Sequence, residues 1–219
     1  MGRIRNVLIL IALWPLVTLS QQPATSGFGE QVQKVLEIKG DPGRGETAFV
    51  PCQGCHRKDA SGRTSGAYPR LAGQHATVLI KQISDFQTGR RGNPKMEPFI
   101  DDHVLSLVEI ADIGIYLQGL DVSTPNGAGP GTGVTRGKQL YDKDCADCHG
   151  TMGEGNSEKF YPMVAAQHYR YLLRQALLIR DGDRRNSNPS MVKVIKQYSN
   201  ADLEALADYM SQLPIPRKK

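Results

Sequence analysis

The chain has 219 residues, of which 22% are charged and 39% hydrophobic, with a formal net charge of +5 and four cysteines. Its length suits two small domains rather than one large one. The basic residues are dispersed apart from the terminal Arg217-Lys218-Lys219, a solvated tail in the plainest reading, so nothing supports nucleic-acid binding.

In chain order, Arg3 and Arg5 precede an apolar run from Val7 to Leu19, followed by small and polar residues around Ser20 and Ala24-Thr25-Ser26. This is the pattern of a secretory signal peptide, assigned to residues 1–20. The run is interrupted by Pro15 and falls short of the roughly 20 apolar residues a spanning helix needs, which favours cleavage over a retained anchor. The expected location is the periplasm, with loose membrane association the alternative. Without the signal the formal charge falls to about +3.

A first domain is placed at residues 30–120. There a short helix leads into Cys52-Gln53-Gly54-Cys55-His56, and a loop with glycine and proline follows. Apolar residues at three- and four-residue intervals predict a middle helix over 77–86 and a final helix over 104–120, with Asp102 as its N-cap. Between them lies a loop with Asn93-Pro94-Lys95-Met96. Residues 121–134, rich in glycine and proline, read as an exposed linker. A second domain at 135–219 repeats the order: Cys145-Ala146-Asp147-Cys148-His149, a helix over 169–180, Asn188-Pro189-Ser190-Met191, and a helix over 201–213 capped by Asn200. No run of alternating strands occurs, and the fold class is all-α.

Both cysteine motifs have the Cys-x-x-Cys-His spacing of c-type haem attachment. Two thiols about one helical turn apart can form thioethers along one edge of a porphyrin, and the adjacent histidine then falls under the iron. A thioredoxin-like dithiol, a zinc knuckle or a disulfide would not require that histidine twice. The chain therefore calls for two covalently attached c-type haems, with Cys52, Cys55, Cys145 and Cys148 as attachment residues and His56 and His149 as iron ligands. Domains this small gain from a haem as a core element, so the apo-chain is expected to fold poorly.

The offset of 93 between the motifs persists beyond them. Tyr68-Pro69-Arg70-Leu71-Ala72-Gly73-Gln74-His75 lies over Tyr161-Pro162-Met163-Val164-Ala165-Ala166-Gln167-His168. Upstream, Arg44-Gly45 and Phe49 match Arg136-Gly137 and Tyr141 at an offset one shorter. The Asn-Pro-x-Met motifs follow their histidines by 40 and 42 residues and make Met96 and Met191 the sixth ligands. Proline should keep each segment out of a helix, as a stiff loop aiming a thioether at the iron. Packing is the rival role for methionine, and suits Met152, Met163 and Met210, which have no matched methionine. Among the histidines, His103 has no counterpart. His75 and His168 are matched but sit only 19 residues after their haem histidines, where a polar-surface or propionate contact suits them better than ligation. Arg90 and Arg91, matched roughly by Arg184 and Arg185, are candidates for propionate pairing or a docking rim, with solvated surface as the plain alternative.

Two Cys-x-x-Cys-His domains, a Tyr-Pro-x-Leu-Ala-Gly-Gln-like segment after each, and a Pro-x-Met loop resemble the dihaem cytochrome c4 family across essentially the whole mature chain. The resemblance implies two tandem class I cytochrome c domains related by a pseudo-twofold axis, and electron transfer in the periplasm towards a terminal oxidase. It also implies that the Pro69 and Pro162 carbonyls orient the haem histidines. Two departures stand out: Arg57 follows His56 where glycine is usual, and Val164-Ala165-Ala166 replaces Leu71-Ala72-Gly73. The reading is a non-enzymatic carrier whose partners are redox proteins such as a respiratory complex or terminal oxidase. The alternatives are the cytochrome subunit of a periplasmic dehydrogenase and a dihaem peroxidase, the latter opposed by the duplicated methionines.

Overall fold

Glycine lets the helix that precedes each cysteine motif cross the last helix of its half at backbone contact. In the computed structural model, which describes residues 29–122 and 124–216, α1 (Glu30–Leu36) and α2 (Pro42–Ala48) lead through a 3-10 turn at Val50–Cys52 into α3 (Gln53–His56). Then follow α4 (Ala76–Gln87), α5 (Glu97–Ile100) and α6 (Leu107–Gly119). A Cβ on Gly45 of α2 would stand 2.2 Å from the Asp112 carbonyl oxygen of α6. The second half repeats this with α7 (Val134–Asp144), α8 (Ala146–His149), α9 (Tyr169–Asp181), α10 (Pro189–Ile195) and α11 (Asn200–Gln212). There a Cβ on Gly137 of α7 would stand 2.0 Å from the Ala205 carbonyl oxygen of α11. No side chain fits at either crossing. No strand occurs among the described residues beyond an isolated bridge between Asn156 and Tyr161. The signal-peptide segment 1–20 lies outside them.

Each half has its own apolar core. Val32, Val35, Phe49, Leu79, Ile110 and Leu117 centre the first, and Tyr141, Leu172, Ile179, Leu203 and Leu206 the second. Phe49 packs on Tyr116 at 5.9 Å between ring centroids, and their repeat partners Tyr141 and Tyr209 at 5.4 Å. Helix α1 has no counterpart in the second half. Its buried Val32 and Val35, one turn apart, pin it to the first core.

Three local expectations are corrected. The final helices are capped not by Asp102 and Asn200 but by Ser106 and Ser199, each in a full capping box with Glu109 and Asp202 three residues on. Asp102 lies upstream in a turn held by Asp101, whose carbonyl accepts from the Val104 and Leu105 N–H groups, so α6 begins at Leu107 rather than at 104. Met191 sits inside α10, not in a loop: Pro189 occupies N1, where a missing N–H costs nothing, and the Asn188 side chain caps the helix through Ser190 N. Met96 is the N-cap of the four-residue α5.

The halves meet through reciprocal hydrogen bonds. The Gln74 side chain donates to the Met163 carbonyl and accepts from the Met163 N–H, both at 2.9 Å. Its repeat partner Gln167 does the same to Arg70, also at 2.9 Å. Residue 70 is the equivalent of 163, so each half presents the same glutamine to the same backbone site of the other, as a twofold arrangement demands. Farther along, Arg91 and Arg184 each donate to both Gln82 and Gln175, again repeat partners on α4 and α9.

The connector is strapped down rather than loose. Gly131 and Gly133 N–H groups bond the buried Asp208 carboxylate. Asn126 bridges the Gln167 and Ser211 carbonyls, and Thr124 reaches Asp59 in the first half at 2.6 Å.

Candidate haem centres

Each Cys-x-x-Cys-His motif coils into one helical turn, Gln53–His56 or Ala146–His149, and ends on its histidine. Spacing alone therefore puts two thiols on one side of a turn and the imidazole at its end. Nδ1 of His56 lies 3.2 Å from the Pro69 carbonyl oxygen and Nδ1 of His149 lies 3.0 Å from that of Pro162. With Nδ1–H donating there, Nε2 is the nitrogen left to face a metal. Burial is the main influence on both rings and holds their pKa below the usual histidine value, so each is neutral and competent as a ligand.

The buried thiols argue against the dithiol alternative. Burial pushes the Cys52 thiol up to about 11, and burial with the nearby Asp144 carboxylate pushes Cys145 up to about 12. A redox dithiol needs a depressed pKa to present its thiolate. These sulfurs suit attachment instead: Cys52 and Cys145 pack against the two cores, while Cys148 is exposed at the rim. The matched tyrosines Tyr68 and Tyr161 stand beside the two histidines, edge-on and tilted, at 6.0 and 6.5 Å between ring centroids. A neutral imidazole oriented through Nδ1, beside a pair of thiols on one turn, fits a c-type haem in each half.

The distal candidates differ. Met191 is half-buried and packs on the second core together with Cys145 and Ile195. Met96 is half-buried at the start of α5. Met163 and Met210 pack on the second core and Met152 is exposed, in keeping with packing or surface roles. His103 is exposed beside Asp102.

The histidines that rivalled methionine have another task. His75 Nε2–H donates to the Glu154 carbonyl and His168 Nε2–H to the Ser61 carbonyl, both at 2.8 Å and both across the interface between the halves. Glu154 and Ser61 are themselves repeat partners. His168 is 1% exposed, and its Nδ1 accepts from Gly127 N–H at 3.0 Å, which fixes the neutral tautomer. The matched Gln-His pairs were visible in the sequence, but their role across the interface was not.

The arginine match is also shifted by one. Arg91 pairs with Arg184 in the Gln82–Gln175 cluster, whereas Arg90 goes to the buried Asp85 at 3.3 Å, and Arg185 is exposed. Burial, and then the neighbouring Arg91 charge, lowers Arg184 to about 10.

The cytochrome c family profile matches residues 134–214. Cytochrome c4 of Stutzerimonas stutzeri is 30% identical over 191 residues, spanning 80% of this chain and 90% of the relative. The chain belongs to the cytochrome c4 family. The crystal structure of reduced recombinant cytochrome c4 from Pseudomonas stutzeri superposes with a TM-score of 0.73 at 27% identity, covering 80% of this chain and all of that one. A protein of Stutzerimonas stutzeri strain A1501 named thiosulfate dehydrogenase electron acceptor is 29% identical over 181 residues, 78% of this chain and 82% of the relative. As in the cytochrome c4 family, two c-type haems on a two-domain helical scaffold make this chain a dihaem electron-transfer protein.

Proposed function

We propose that both irons are six-coordinate, His56 with Met96 and His149 with Met191, and that thioethers form at Cys52, Cys55, Cys145 and Cys148. In this reading the protein shuttles single electrons in the periplasm and transforms no substrate of its own. The supporting observation is the matched orientation of His56 and His149 by Pro69 and Pro162. The haem supplies a one-electron ferric/ferrous couple. The chain does the rest: the proline carbonyls hold each Nδ1 proton, burial keeps the imidazoles neutral, and a methionine sulfur favours the reduced metal. Arg91 and Arg184, half-buried like charges held by glutamine oxygens, suit haem propionates as counter-ions.

The proposed electron route runs from a periplasmic donor towards a terminal oxidase. The relative named for accepting electrons from thiosulfate dehydrogenase supports a second reading, in which a dedicated dehydrogenase is the donor. Co-purification of the native protein distinguishes the two.

The test of the carrier reading is to count haems per chain and expose the ferrous holoprotein to carbon monoxide. Two haems that both refuse the ligand are expected. A haem that binds it readily in the unmutated protein means an open iron and defeats the carrier reading in favour of an enzyme or gas sensor.

A further inference from the structure

The two segments that carry the haem motifs match under the 93-residue offset, yet their charges are opposite. Residues 50–66 hold Arg57, Lys58 and Arg63 against Asp59 alone, net +2. Residues 143–159 hold Asp144, Asp147, Glu154 and Glu158 against Lys143 and Lys159, net −2.

The inversion reaches the attachment sites themselves. After the haem histidine, the first half has Arg57 and the second Gly150. A Cβ on Gly150 would fall 2.2 Å from the Glu154 carboxylate, whereas the equivalent of Glu154 in the first half is the small Ser61. One spot beside the haem histidine thus holds the stem of a guanidinium side chain in one half and a carboxylate in the other. Between the cysteines, the Gly54 carbonyl accepts from Arg63 at 3.3 Å; its counterpart is the exposed Asp147. Arg57, Lys58, Arg63, Asp147 and Glu158 are all exposed and form no ion pair among the described residues. Each face also shows an apolar side chain: Val50, 56% exposed, beside Cys52, and Met152, 45% exposed, near His149. Apolar contact within a charged rim is the usual make-up of a transient docking surface.

We propose that the two haem-attachment faces dock different proteins: an acidic redox protein on the face of Arg57, Lys58 and Arg63, and a basic one on the face of Asp147, Glu154 and Glu158. The inference rests on the carrier reading. Its consequence is that donor and acceptor do not compete for one surface. An electron entering at one haem leaves from the other, and the sign of each partner's surface selects its end.

The test titrates the ferrous holoprotein with a plant plastocyanin as acidic probe and a mitochondrial cytochrome c as basic probe, reading backbone amide shifts by NMR at low and high salt. Plastocyanin should shift resonances in residues 50–66 and cytochrome c those in 143–159. Both affinities should fall about fivefold or more between roughly 0.01 and 0.2 M salt, because the contacts are screened. The K58E/R63E variant should lose the first response and keep the second, and D147K/E158K the reverse. Both probes acting on one face, shifts indifferent to salt, or shifts in neither segment would overturn the proposal. No electron transfer is needed for this readout, so its failure leaves the carbon monoxide result, and the carrier reading, untouched.

Discussion

Arg57 occupies a backbone conformation that belongs to glycine. Its φ and ψ are 67° and 162°, against 79° and 156° for Gly150 at the matched position. A side chain there costs of order 1–3 kcal/mol. The exposed Arg57 side chain makes no ion pair that would repay the strain, so replacing it with glycine removes the strain and loses only unfolded-state rigidity, about 0.4–1 kcal/mol. R57G should therefore raise stability by about 0.5–2 kcal/mol, or roughly 1–8 °C in midpoint for a chain of this size. The assay is thermal unfolding of the holoprotein followed by circular dichroism and haem absorbance. The reverse change, G150A, should cost the same strain plus a clash with Glu154. G150A/E154S, which copies Ser61, should recover the clash and not the strain. A midpoint for R57G that is unchanged or lower, or a G150A variant as stable as its parent, refutes the reasoning.

Four further outcomes are expected. M96A and M191A should each open one haem to carbon monoxide while the other stays closed, read by absorbance difference spectra; a variant with no new binding removes that methionine from the ligand set. Q167A leaves the Arg70 N–H and carbonyl without partners in a buried interface and should cost about 2–4 kcal/mol, with Q74A similar by symmetry, measured by denaturant unfolding. His168 is held below its ordinary pKa, by burial first and then by the charges of Arg70 and Arg57. The unfolded chain thus takes up a proton near pH 6.5 that the folded chain resists, so this contribution is intact above that pH and is lost as pH falls below it. An H168N variant should flatten the acid side of the stability profile, and an unchanged slope rules His168 out as its source. Replacing all four cysteines with serine prevents haem attachment and should strip much of the far-ultraviolet helical signal; a fully helical apo-chain would show that the cores suffice alone.

What could be read from the sequence follows from how far apart the interacting groups lie. Attachment chemistry demands Cys-x-x-Cys-His within five residues, and the helices show their apolar faces at 3.6-residue spacing, so motifs, class and duplication were all legible. The capping errors were local: at the second site Asn200 and Ser199 are adjacent cap-forming residues, and only the reciprocal bond from Asp202 selects Ser199. The helical setting of Met191 is hidden in the sequence because proline breaks a helix interior yet starts one at N1, where Pro189 stands. The interface left no local signal. Gln167 bonds a backbone site 97 positions away, and His168 one 107 away. Only the persistence of Gln-His in both halves, at positions outside the proposed ligand set, hints at a shared task.

The repeat, once placed in three dimensions, separates three kinds of constraint. Positions of the proposed haem sites are identical in both halves: two cysteines, a histidine and the proline that orients it. Positions at the twofold interface are also duplicated, but as glutamine and histidine side chains that grip the other half's backbone, so Arg70 and Met163 can differ in side chain while serving the same contact. Positions on the haem-attachment faces have diverged, in charge as well as in size. Neither haem attachment nor the twofold contact requires that inversion. Arg57 against Gly150, Ser61 against Glu154 and Gly54 against Asp147 place charge changes directly beside the two haem histidines. Two sites built alike inside and unlike outside are suited to exchanging electrons with partners that are themselves unlike.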